Sequence, residues 1–298
     1  MLRQLSVLAL LISLLFGLLT KTRSQGANLL DLRSERVLLL TAHPDDECMF
    51  FAPTLLALAQ DYHVRQAEEL TSSVIEDDIN KGPPVFSLCM SVGNADGLGF
   101  TRRDELQQSL NVLGVSKEKS WVVDHPQLQD NFTAIWDSHI IADTIRPFIT
   151  DNAITIVLTF DGGGVSGHPN HISLPNGVKH LIETTPALSD LRLYTLVTVP
   201  LWSKYTGILG PALSALRMPQ SVASILQLIG FQSRFMLKNF GDPDGTPEPP
   251  KMIFISHISN YVRALRAMQQ HSSQLVWFRW LYVTYSRYMW VNEWARIA

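Results

Sequence analysis

Apolar residues fall along this chain in short blocks separated by polar turns. Arg36-Val37-Leu38-Leu39-Leu40-Thr41 is a nearly unbroken apolar run of strand length, the pattern of a strand buried on both faces. It stops at His43-Pro44, and Met49 to Ala59 follows as a helix-compatible apolar segment. The alternation then repeats. Val85 to Val92 predicts a strand, Arg102 to Leu113 a helix closed by Gly114, and Trp121 to Val123 a short strand. Ser138 to Ile149 predicts a helix, Ala153 to Phe160 a strand, Ile172 to Ile182 a helix, and Leu191 to Val199 a further strand. Strands alternating with helices of this length predict an α/β fold, Rossmann-like, with a mostly parallel sheet and helices on both faces.

Three regions depart from this rhythm. Between Gln4 and Thr20 there is no charged residue, a stretch at the short end of what crosses a bilayer as a helix, roughly 17–25 residues. Residues 1–24 therefore read as one N-terminal membrane anchor, with a cleaved secretory signal as the competing reading. Lys21 and Arg23 beyond the apolar run, against Arg3 before it, favour the anchor and place the body of the chain on the cytoplasmic side. Arg65 to Pro84 is polar and acidic and reads as a surface insertion in a domain spanning 25–240. After the turn-rich Gly241 to Pro250, residues 241–298 read as a helical extension crowded with aromatics and arginines between Ser272 and Trp294, packed on the domain or on a membrane surface.

Composition narrows the function. With 298 residues, 46% hydrophobic and 17% charged, the chain can bury a full core. A net charge of -3 argues against a nucleic-acid binder, which needs a basic field. Cys48 and Cys89 are the only cysteines and form no disulfide framework; both sit in apolar company and read as small buried hydrophobes. No protein partner can be read from the sequence.

Candidate chemistry lies after two of the buried strands. Ala42-His43-Pro44-Asp45-Asp46-Glu47 follows the first, where open parallel sheets bind ligands. A histidine and a carboxylate three residues apart on such a turn can converge on one cation, while a neighbouring carboxylate stays available as a base. After the strand ending at Phe160 comes Asp161-Gly162-Gly163-Gly164-Val165-Ser166-Gly167-His168-Pro169-Asn170-His171, bringing two more histidines to the same sheet edge. Three protein ligands of mixed histidine and carboxylate type with an open fourth position make the usual catalytic zinc arrangement. The other histidines, His271 among them, have no such context.

His-Pro-Asp-Asp-Glu paired with Gly-His-Pro-Asn-His resembles the zinc-dependent de-N-acetylase family that includes the mycothiol-pathway deacetylase. The resemblance runs from about Val37 to the C-terminus. It takes in Met49-Phe50-Phe51-Ala52-Pro53-Thr54, Ser91-Val92-Gly93-Asn94, Thr101-Arg102-Arg103-Asp104-Glu105-Leu106, Thr159-Phe160-Asp161 and Gln274-Leu275-Val276-Trp277-Phe278-Arg279. It implies a Zn cofactor, or another divalent metal, held by His43, Asp46 and His171. It implies Asp45 as general base, His168 as the oxyanion partner, and Arg102 and Asp130 as contacts to the phosphoinositol side and a sugar hydroxyl. Asn170 stands where bacterial relatives often carry aspartate, and the Arg65–Pro84 stretch is longer than the family pattern. The branch most like this chain implies a lipid-linked substrate, N-acetylglucosamine on phosphatidylinositol, deacetylated in the second step of GPI-anchor synthesis at the endoplasmic reticulum membrane. The alternatives are a soluble N-acetylglucosamine conjugate as substrate, or a non-catalytic membrane-anchored subunit with the same fold.

Overall fold

The computed structural model describes residue 32 and residues 34–59, 83–209 and 251–298. The N-terminal apolar segment, and all but Pro83 and Pro84 of the Arg65–Pro84 stretch, lie outside these residues. No helix among the described residues is long and apolar enough to cross a membrane.

Five strands form the parallel part of a sheet: β1 (Val37–Thr41), β2 (Val85–Cys89), β3 (Ser120–Val122), β4 (Ile156–Phe160) and β5 (Arg192–Leu196). Two more, β6 (Lys251–Ile255) and β7 (Val291–Arg296), extend it to seven strands in the order β3-β2-β1-β4-β5-β7-β6. All residues of β1 and β4 are buried, so their continuous apolar runs are what a two-faced interior strand requires. β1 pairs in parallel with β2, Val37 opposite Val85, and with β4, Val37 opposite Ile156. Successive strands step outward from β1 one way and from β4 the other. With crossovers of one hand, this reversal places the helices on both faces and opens a crevice beyond the carboxyl ends of β1 and β4.

The helices follow the expected rhythm with shifted ends. They are α1 (Asp46–Met49), α2 (described over 52–59), α3 (Gly99–Leu113), α4 (Ser138–Asp151), α5 (Pro169–Thr184), α6 (Ile258–Gln270) and α7 (Trp277–Tyr285). α4 packs on α5 and α3 on α6. The single helix expected over Met49 to Ala59 is interrupted at Phe50-Phe51. The interruption has a tertiary cause: the Asn292 side-chain amide donates to the Phe50 carbonyl at 2.7 Å and accepts from the Thr54 hydroxyl at 2.8 Å. Trp294 stacks on Phe51 at 5.7 Å and donates its indole N–H to Thr54 at 2.9 Å.

That network also corrects the reading of the C-terminus as a helical extension. Only Trp277–Tyr285 of the aromatic stretch is an α-helix, and Trp294 lies in β7, which runs antiparallel to both β5 and β6. β7 is fully integrated into the sheet: Val291 and Trp294 are both fully buried.

Candidate active site

The crevice is lined by two turns that carry unusual backbone. Asp45, between β1 and α1, has φ 107, and Val165, between β4 and α5, has φ 61. Neither residue favours the left-handed region, and a β-branched residue there is an outlier costing about 1–3 kcal/mol. The strain persists because surrounding contacts over-determine it. The Asp45 N–H donates to Glu47 Oε2 at 3.0 Å, and its carbonyl accepts from the Cys48 thiol at 3.2 Å. The Val165 N–H donates to the Thr198 hydroxyl at 2.9 Å, and its carbonyl accepts from the Lys204 ammonium at 3.3 Å.

All seven residues singled out in the sequence meet at this crevice. Asp46 Oδ2 accepts the backbone N–H groups of Ala42 and His43 at 3.0 and 2.9 Å, which fixes the carboxylate and aims its other oxygen. That oxygen, Oδ1, lies 3.3 Å from His171 Nε2. Burial pushes the Asp46 carboxyl up, but the adjacent His171 and His43 imidazoles outweigh it and hold it well below the usual carboxylate range. His171 is stacked on Phe160 at 3.9 Å, and its Nδ1 lies 3.2 Å from the Gly164 carbonyl. His43 Nε2 sits 3.0 Å from Asn170 Oδ1 and 3.3 Å from Asp130 Oδ1. The rings of His43, His168 and His171 stand about 5 Å apart, and their ligating nitrogens lie within 4.8 Å of one another.

This donor set fits a cation. Among the described residues His171 Nε2 is buried and has no hydrogen-bond partner, although a carboxylate oxygen stands 3.3 Å away. A buried orphan nitrogen is costly unless something else satisfies it, and a metal shared with Asp46 would do so. An oxygen on one nitrogen of an imidazole, as Asn170 provides at His43 and Gly164 at His171, is the usual device for orienting a metal-binding ring.

Asp45 and His168 differ from the others. The Asp45 carboxyl is buried, and desolvation pushes its pKa up despite the Arg279 guanidinium 3.0 Å away and Arg102 at 4.0 Å. His168 Nδ1 accepts the Asn170 N–H at 3.2 Å, which caps α5 and places the proton of the neutral ring on Nε2. Burial, helped by His43 and His171, lowers the His168 pKa to about 4. Arg102 is buried, and its guanidinium donates to the carbonyls of Pro44 at 2.7 Å and Gly93 at 2.9 Å and reaches Asp130 at 3.5 Å. It therefore also holds the His43–Asp45 turn in place.

The sequence reading missed the part played by five residues. Glu47, within the first motif, accepts from Ser109 and lies 2.7 Å from His271 Nε2, with both members of the pair fully buried. Arg279 reaches Asp45 from α7, Asn170 bridges His43 and the Asn131 backbone, and Lys204 braces Val165. For His271 and Arg279 no local signal existed, because their partners lie more than 200 residues away in the chain. Cys48 and Cys89 are buried thiols, as their apolar company suggested.

Fold and site together define a doubly wound α/β domain with a histidine–carboxylate centre at the switch point of the sheet. Residues 38–182 match the family model described as GlcNAc-PI de-N-acetylase (PIG-L). The chain is 34% identical over 258 residues to N-acetylglucosaminyl-phosphatidylinositol de-N-acetylase of Bos taurus, covering 87% of this chain and 82% of that protein. It is 30% identical over 271 residues to the protein of the same name from Saccharomyces cerevisiae, covering 86% and 79%. A deacetylase triple mutant from the teicoplanin biosynthetic pathway shares the fold at TM-score 0.52 and 15% identity, over 88% of this chain and 98% of that one. The chain belongs to the GlcNAc-PI de-N-acetylase family.

Proposed function

We propose that this chain hydrolyses the acetamide of N-acetylglucosaminyl-phosphatidylinositol, releasing acetate and leaving the free amine. The observation that carries the reading is the division of labour at the crevice: a buried Asp45 carboxylate held by Arg279, and a His168 whose Nδ1 accepts the Asn170 N–H so that its other nitrogen presents an N–H. The relatives' printed names supply the substrate.

His43, Asp46 and His171 would hold the metal, zinc by their chemistry. When bound it supplies Lewis acidity and lowers the pKa of water. Asp45 accepts the proton of the attacking water as the new C–O bond forms at the acetamide carbon. His168 Nε2–H donates to the carbonyl oxygen as it becomes negative. Asp45 then returns its proton to the nitrogen as the C–N bond breaks, so the neutral amine leaves with acetic acid, whose carboxyl proton passes to water to give acetate. Arg279, 3.0 Å from Asp45, favours the ionised carboxylate and so opposes the upward push of burial.

The uncharged stretch between Gln4 and Thr20 supports a place at the endoplasmic reticulum membrane, with the catalytic domain facing the cytoplasm. A substrate confined to a bilayer requires an enzyme held there. Deacetylation of the intact lipid is to be compared with that of a water-soluble N-acetylglucosaminyl-inositol phosphate. Preference for the lipid supports the proposal. Equal efficiency assigns the chain to soluble conjugates, and stoichiometric metal without acetate release from either makes it a non-catalytic subunit.

A further inference from the structure

Beside the reacting groups lies a cavity of about 490 Å³ whose lining includes Phe50, Lys204, Tyr205, Phe278, Arg279 and Tyr285. It adjoins the catalytic centre through residues common to both. Phe50 packs edge-on against His171 at 5.8 Å, and Arg279 ion-pairs with Asp45. Among the described residues, two positive side chains face it and no acidic one does.

Lys204 is the telling residue. It is only 7% exposed, and burial pushes its pKa down. Among the described residues its ammonium has the Val165 carbonyl at 3.3 Å and the Tyr205 ring at 5.9 Å, and no carboxylate within ion-pairing distance. A buried ammonium without a counter-charge is unstable, and either loses its proton or waits for an anion. The rim of the cavity has the opposite character: Tyr205, Phe278, Leu281 and Tyr285 are each about half exposed. A buried ammonium and a partly exposed guanidinium beneath an apolar, aromatic rim match the boundary of a phospholipid, where a charged phosphodiester meets its acyl chains.

We propose that this cavity binds the phosphodiester of the substrate, with Lys204 as its main counter-charge and Arg279 joining it to the catalytic carboxylate; the inference rests on the lipid-linked substrate proposed above. Arg102, whose guanidinium is engaged by the Pro44 and Gly93 carbonyls and Asp130, then serves to shape the site instead of gripping the phosphate.

The test uses Lys204→Met and Lys204→Arg in the full chain, with thermal unfolding to confirm that both fold. Two substrates are compared: N-acetylglucosaminyl-phosphatidylinositol and its phosphate-free analogue N-acetylglucosaminyl-inositol. The ratio of kcat/KM for the first over the second is expected to fall about tenfold or more in Lys204→Met, chiefly through KM, and to recover in Lys204→Arg. A Lys204 that only braces the Val165 turn would lower both substrates alike, and an unchanged ratio overturns the proposal. Binding provides a readout independent of acetate release. Glycerophosphoinositol, with inorganic phosphate as comparison, is titrated calorimetrically into wild type and Lys204→Met. Tighter binding of the diester by wild type than by the variant supports the proposal even if no acetate is released, a result that would sink only the proposed reaction. Equal binding by the two proteins, or a site that takes inorganic phosphate and not the diester, overturns it.

Discussion

Replacing His271 by alanine removes half of an ion pair in which neither side chain is exposed. Glu47 Oε1 lies 2.7 Å from His271 Nε2 and also accepts from Ser109, while Glu47 Oε2 accepts the Asp45 N–H at 3.0 Å. Breaking a buried pair by removing one partner costs about 3–5 kcal/mol, because the remaining charge keeps its desolvation penalty. Here two donors stay with the carboxylate, so the loss should fall near the lower end, about 3 kcal/mol, against a typical domain stability of 5–15 kcal/mol. Urea unfolding of purified wild type and His271→Ala at pH 6, analysed by linear extrapolation, measures it. Replacing both partners, as Glu47→Leu with His271→Leu, buries no uncompensated charge but leaves the Asp45 N–H and the Ser109 hydroxyl without their acceptor, so it should recover only part of the loss.

The pair also fixes a pH window. Burial alone would raise the Glu47 pKa, but His271 and Ser109 bring it below 4.5, its ordinary value. Its contribution is therefore complete above that pH and fades as pH falls through the depressed value. Burial alone would lower the His271 pKa, but Glu47 raises it above 6.5, so that contribution is complete below pH 6.5 and fades as pH rises through the raised value. The difference between wild type and His271→Ala should thus be largest between about pH 4.5 and 6.5. A loss under about 1 kcal/mol throughout that window would show that the pair does not stabilise the Asp45 turn.

Other consequences are simpler to check. In Gly177→Ala a new Cβ would lie 2.2 Å from Ile141 Cγ2 and 2.5 Å from its Cβ, where α5 crosses α4, and unfolding should show a loss of about 1–3 kcal/mol. Zinc should raise the Tm of metal-stripped wild type by mass action and leave His171→Ala unmoved; an equal rise in both removes His171 from the metal site. His168→Ala should lower kcat about 10²–10³-fold with metal content intact, the cost of losing one oxyanion donor; a change confined to KM would mean that His168 only binds substrate.

How much of this was legible in the sequence depended on the range of the interaction that decided each feature. β1 and β4 were readable because both faces are covered, which leaves only apolar residues such as Leu38 to Leu40. The two motifs were readable because each follows its strand immediately, and the parallel topology then brings them together. β7 was not, since Asn292 and Glu293 interrupt its apolar pattern and the buried Asn292 side chain bonds Phe50 and Thr54, some 240 residues earlier. The same holds for Phe50-Phe51, where a distant side chain ends a helix that local propensity would continue. At the site, spacing marked out the cluster of His43, Asp45, Asp46, His168 and His171, and only the family resemblance divided it into metal ligands, base and oxyanion partner, whereas Glu47 looked like one more charge until His271 was found beside it.

The claim on which everything else rests is that Asp45 moves the proton in amide hydrolysis while its neighbours hold the metal. Acetate release from N-acetylglucosaminyl-phosphatidylinositol by wild type and Asp45→Asn, with metal content measured on the same samples, addresses it. Loss of general-base catalysis should reduce kcat by about 10²–10⁴-fold with metal retained. An Asp45→Asn enzyme that turns over at the wild-type rate would contradict the assignment.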